Sequence, residues 1–121
     1  MTYDEFNQFC AALKETTHVV QWGNSDVWKV GGKVFAVAGW AKDKQPAYTF
    51  KTSDQNFDFL GECDGYRPAP YLASRGLKWI QQTDGCVEKN EALQYYITES
   101  YRIVSLGLTK KKQKELGLNQ Q

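Results

Sequence analysis

Histidine is nearly absent from this chain: His18 stands alone among 121 residues, and methionine occurs once. A single imidazole leaves no second ring nitrogen for a histidine-based metal site. Neither zinc-ligand spacing nor a set of nucleophile, base and orienting residue can be read from the sequence. Cysteine is scarce too. Cys10, Cys63 and Cys86 form no CxxC pair and, being three, cannot all pair with one another, so a disulfide framework is not expected. No apolar run approaches the ~20 residues that a spanning helix needs. The opening residues, Met1-Thr2-Tyr3-Asp4-Glu5-Phe6, carry neither a basic n-region nor an apolar h-region. These shortages lead to the expectation of a cytoplasmic protein with reduced thiols, no membrane partner, no metal and no cofactor.

Ring area is plentiful: 41% of the residues are apolar and 14% are aromatic, enough for one domain of 121 residues to bury a core without staples. The charge is laid out in blocks. Residues 29 to 51 hold Lys29, Lys33, Lys42, Lys44 and Lys51 against Asp43, for +4. Residues 52 to 64 carry Asp54, Asp58, Glu62 and Asp64 for −4, and residues 65 to 83 carry Arg67, Arg75 and Lys78 for +3. The last thirteen residues add +3 through Lys110, Lys111, Lys112 and Lys114 against Glu115, yet the whole chain nets only +1. That balance is far from the domain pI above ~9 of a strongly basic nucleic-acid binder.

Local patterns set the elements. Thr2-Tyr3-Asp4-Glu5 fits a capping box, and Phe6, Phe9, Cys10 and Leu13 follow at helical spacing to an end near Glu15. Four short runs rich in β-branched and aromatic residues come next, at 19–22, 27–30, 34–38 and 47–51. Gly31-Gly32 reads as a two-residue hairpin turn, too short for a phosphate loop and followed by a strand where that motif needs a helix. Thr52-Ser53-Asp54-Gln55 starts a short helix with Phe57 and Leu60 on one face, ended by Gly61. The stretch from Gly65 to Gly76 reads as an ordered loop before a strand at 77–81. Asn90 opens the longest helix, with Leu93, Tyr96, Ile97, Ser100, Ile103 or Val104, and Gly107 marking one face, and Thr109 caps a last short helix ended by Gly117. The order α-β-β-β-β-α-β-α predicts a two-layer α+β domain. An antiparallel sheet of about five strands would be covered by helices on one face over residues 1–108, with a basic C-terminal helix and tail at 109–121. If Tyr48 and Phe50 point inward, Thr49 and Lys51 point outward, and Trp28 and Val30 likewise leave Lys29 outward. The expected molecule has an open, positive sheet side and a negative helix side.

Trp22-Gly23, the run from Val27 to Ala36, Lys51-Thr52-Ser53, Arg67-Pro68-Ala69-Pro70-Tyr71-Leu72, Lys78-Trp79 and Thr98-Glu99-Ser100-Tyr101 together resemble the MmcQ/YjbR family of small bacterial proteins. The likeness covers nearly the whole chain. It implies a YjbR-like, or double-wing, α/β fold and a DNA-binding role, and it supplies no catalytic motif to place on these positions.

The remaining candidates have plain structural readings. His18 reads as structural or solvent-facing, Cys10 lies on the apolar stripe of its helix, and the row Asp54, Asp58 and Glu62 reads as a solvated helix face. Most of Trp22, Trp28, Trp40 and Trp79 read as core. Two prolines stiffen the loop that carries Arg67 and Tyr71, and Trp40 beside Lys42 and Lys44 is the best stacking platform. The favoured expectation is a non-enzymatic nucleic-acid-binding domain. Lys29, Lys33, Lys42, Lys44, Lys51, Arg67, Arg75 and Lys78 would meet phosphates, and Trp40 or Tyr71 would touch bases. The alternative is a protein-interaction or chaperone-like module whose sheet receives a partner chain.

Overall fold

Thr2 starts the first helix as its chemistry requires. Its hydroxyl accepts the Glu5 N–H at 3.1 Å while the Glu5 carboxylate accepts the Thr2 N–H at 2.9 Å, the reciprocal bonds of a capping box. The Thr2 amide, and then its hydroxyl, hold the Glu5 carboxyl below the usual range. The computed structural model describes residues 1–39, 46–70, 72, 76–83 and 90–120. Helix α1 (Tyr3–Ala11) ends earlier than the apolar spacing predicts. The Thr16 hydroxyl closes its last turn by donating to the Cys10 and Leu13 carbonyls, and Glu15 has φ of 59°, which no helix continues through.

The four expected strands follow as antiparallel neighbours: β1 (Thr16–Gln21), β2 (Ser25–Val30), β3 (Lys33–Ala38) and β4 (Tyr48–Lys51). Gly31 and Gly32 turn the β2–β3 hairpin at φ of 59° and 84°. Gly31 is constrained twice, because a Cβ there would also lie 2.6 Å from Leu108 Cδ1. Helix α2 (Asp54–Gly61) is capped by Ser53, whose hydroxyl accepts the Asn56 N–H at 3.2 Å.

Beyond α2 the chain departs from the expectation. Residues Tyr66–Pro68, expected in a loop, form a strand, β5, that pairs with β6 (Trp79–Gln82). The sheet therefore has six strands in the order β1-β2-β3-β4-β6-β5. Strand β6 lies between β4 and β5, which leaves β5 on the outer edge, where Pro68 has no inner ladder to interrupt. Helix α3 (Asn90–Leu106) and helix α4 (Lys110–Leu116) complete the chain. Thr109 caps α4 at its start and Gly117, at φ of 68°, ends it.

All four helices serve one core. Phe6 and Cys10 from α1, Leu60 from α2, and Leu93, Ile97 and Val104 from α3 close on Trp28, Ala36, Ala38, Tyr48, Phe50 and Ile80 of the sheet. Leu108 and Leu118, on either side of α4, join the same cluster, so the basic terminal helix is anchored at both ends.

One irregularity sets the register of this packing. Between the pairs Trp28↔Ala36 and Lys29↔Val34, strand β3 carries an extra residue, Phe35. Such a bulge re-aims a side chain. Phe35 and Ala36 both enter the core, where the Phe35 ring meets Tyr101 edge-on at 5.4 Å. The fully buried Ser100 of α3 then bridges the sheet: its hydroxyl donates to the Phe35 carbonyl at 2.6 Å and accepts the Lys51 N–H at 2.9 Å. One residue on, the Tyr101 hydroxyl donates to the Lys14 carbonyl at 2.6 Å, tying α3 to the exit of α1.

Two outcomes follow for stability. Ser100→Ala strips a buried carbonyl and a part-buried amide of their shared partner. It should lower the unfolding free energy by about 1–3 kcal/mol, read as a lower urea midpoint at unchanged slope. Gly31→Ala and Gly32→Ala each add left-handed strain of about 1–2 kcal/mol. A Cβ at Gly32 meets nothing within 4 Å, so Gly31→Ala should have the lower melting temperature by the cost of displacing Leu108.

Candidate nucleic-acid interface

Alternation along β4 sends Tyr48 and Phe50 into the helix-side core and Thr49 and Lys51 to the other face, as the sequence leads one to expect. Exposure does not follow. In register across that second face run Val27, Val37, Thr49 and Gln81, each no more than 1% exposed. The expectation of an open sheet side is therefore corrected: the centre of the face is closed. Gln81 makes the burial of polar groups tolerable. Its amide donates to the Thr49 hydroxyl at 3.0 Å, and its carbonyl accepts from Arg67 Nε at 3.1 Å and Nη2 at 2.8 Å.

The cations are sorted accordingly. Arg67 is half-buried with its guanidinium on Gln81. Lys78 lies on the helix side, its ammonium 4.8 Å above the Phe57 ring of α2. Three lysines remain together toward the hairpin end of the sheet. Lys29 stands on the second face opposite Thr17, Lys33 opens β3, and Lys51 closes β4. None of the three forms an ion pair among the described residues. Trp40, Lys42, Lys44, Tyr71 and Arg75 lie outside the described residues.

Lys33 and Lys51 share a groove with Val34, the half-buried Trp79 of β6, and Ile103, Val104 and Gly107 from the end of α3. Its volume is about 340 Å³. Lysine and tryptophan are residue types that meet a phosphate and a flat ring, and the groove they line here is small.

Catalytic candidates fare as their plain readings suggest. His18 Nε2 lies 2.8 Å from Asp26 Oδ1 and its ring packs on Trp28 at 4.9 Å, with no nucleophile in the arrangement. Cys10 is fully buried, and desolvation pushes its thiol far above the ordinary range. Asp54, Asp58 and Glu62 are all exposed along α2. Trp28 is core, its indole N–H donating to Asn7 Oδ1, whereas Trp22 is 46% exposed. Among the described residues no group of three or more His, Cys, Asp and Glu side chains could hold a metal ion, and no helix is long and apolar enough to cross a membrane.

Sequence reasoning put Ser100 on the packing face of its helix but missed Gln81 and Thr49 as polar residues that organise the interior. The available signal was a glutamine beside Ile80 and a threonine beside Phe50, polar positions in strands that are otherwise aromatic or aliphatic.

A six-stranded antiparallel sheet with four helices packed on one face, and no assembled catalytic constellation among the described residues, defines a small α+β domain of the YjbR-like class. The chain belongs to the YjbR family, whose model matches residues 11–103. It is similar in structure to DR2400 of Deinococcus radiodurans, which carries the domain DUF419. The TM-score is 0.80 and the identity 25%, over 97% of this chain and 88% of that one. No curated protein matches the sequence.

The burial of Cys10 gives a direct check on the thiol reading. Iodoacetamide at neutral pH should label the half-buried Cys63 of the native protein and leave Cys10 untouched until denaturant is added, as peptide mass mapping would record. Native labelling of Cys10 would contradict its placement in the core.

Proposed function

We propose that this protein is a non-enzymatic nucleic-acid-binding domain, with DNA as its partner, that holds the phosphate backbone at the hairpin end of its sheet. The observation that carries the reading is that Lys33, Lys51 and Trp79 line one groove, with Lys29 on the adjoining strand β2. Ammonium groups with no carboxylate partner among the described residues are available to phosphate, and an indole in the same groove accepts a base whatever its identity. Arg67 and Lys78 take no part in this interface, being held by Gln81 and Phe57. The family resemblance of the chain favours the same role. A cytoplasmic setting accords with three cysteines that form no framework.

Salt dependence tests it. Three phosphate contacts require log K to fall against log salt with a slope of about −2.7 on duplex DNA. Lys33→Glu with Lys51→Glu should flatten that slope and weaken binding across all sequences, while Lys78→Gln should leave it unchanged. Absence of binding to both single-stranded and duplex DNA at low salt would remove this reading.

A further inference from the structure

The two edges of the sheet are built in opposite ways. At one edge, β5 has three residues, ends in Pro68, carries Arg67 and lies against α2. Those are the devices by which sheets prevent edge-to-edge pairing: a short strand, a proline, a charge and a cover. At the other edge, α1 also touches β1, but the strand is neither short nor interrupted and carries no lysine, arginine, aspartate or glutamate. It runs for six residues, Thr16–Gln21, without proline, and pairs with β2 without a bulge. Its outward backbone N–H and C=O groups meet no partner among the described residues. Two of its six side chains are apolar and exposed, Val19 at 36% and Val20 at 54%, and just past the strand Trp22 is 46% exposed. The one titratable group on β1, His18, is hydrogen-bonded within its own chain to Asp26.

We infer that β1 is a dimerisation edge, and that its partner is β1 of a second copy of this chain, running antiparallel about a two-fold axis normal to the sheet. Such an axis pairs residues that share a face, so Val19 stands opposite Val19 and His18 opposite Val20. Thr16 of each copy then meets Trp22 of the other. The contact is isologous and closes on itself, as most homodimers do. Identical strands with no lysine, arginine, aspartate or glutamate meet without repulsion, whereas the same neutrality gives a charged foreign peptide nothing to recognise. The second-copy reading is independent of nucleic acid. One consequence bears on the proposed function: both helix layers fall on the same side of the joined sheet, so Lys29 of each copy, one strand in from the axis, lies on a single continuous face.

Sedimentation equilibrium of the full chain without nucleic acid tests the inference. The mass should rise with concentration from 13.8 kDa to twice that value. Val20→Lys, a change at an exposed site, should abolish the rise with an unchanged thermal melt. Phe59→Lys, at an apolar position of α2 that is 62% exposed, should leave it intact. Hydrogen exchange of the wild-type protein gives a second reading that needs no variant: β1 amides should become protected as concentration increases while α2 amides do not. A chain that stays monomeric to millimolar concentration with β1 amides unprotected would overturn the proposal, as would a dimer that a folded Val20→Lys protein retains.

Discussion

The Ser100 hydroxyl is the joint on which the two layers turn. The extra residue at Phe35 interrupts the regular ladder where β3 enters the core, and an interrupted ladder costs free energy unless its polar groups find partners. Ser100 satisfies a carbonyl of β3 and an amide of β4 at once, from a helix lying across both. Register, bulge and helix position therefore cannot vary independently. Tyr101 extends the constraint by joining the same turn of α3 to Lys14, so the α1 exit, the sheet and α3 share one fixed frame.

The same frame explains why the motifs that betray the family say little about activity. Within Thr98-Glu99-Ser100-Tyr101, Ser100 and Tyr101 are architectural ties. Gly31 is required by a turn and by the approach of Leu108, and Arg67 is spent on a buried glutamine. These residues specify how the chain packs. The lysines that form no ion pair among the described residues, Lys29, Lys33 and Lys51, sit where the strands run out and the hairpin projects, because an ammonium group is expelled from the closed centre of the face but tolerated at its rim.

Much of the fold could be read locally. Thr2 with Glu5, Ser53, Thr109, Gly31-Gly32 and Gly117 each act over three or four residues, and their side chains do in the structure what their chemistry suggests. Strand alternation also held, placing Trp28, Val30, Tyr48 and Phe50 inward. What could not be read was non-local. Strand β5 exists because β6 offers it a free ladder, and nothing in Tyr66-Arg67-Pro68 announces that neighbour. The closed second face depends on Val27, Val37, Thr49 and Gln81 falling into one row, a matter of register across four strands. Of the candidate interface, Lys29, Lys33 and Lys51 could be chosen from charge blocks and alternation, whereas the engagement of Arg67 and Lys78 needed their partners at Gln81 and Phe57 to be known.

Sheet order has a further consequence for how much surface one copy can offer. A groove of about 340 Å³ flanked by two lysines, with a third nearby, is little for a polyanion, since specific protein–DNA interfaces bury roughly 1,000–2,500 Å² of protein. Enlarging it within the monomer would mean reopening the Val27–Gln81 row and stripping Arg67 of its acceptor, which the core opposes. Growth at the β1 edge meets no such resistance, because nothing packed is disturbed there. Joining two copies through β1 sets two Lys29 side chains on one face at fixed spacing. A second contact then forms at the effective concentration set by a rigid sheet and not at that of free solution. An undefended edge and an undersized cationic groove are in this sense one feature, since the first offers what the second lacks.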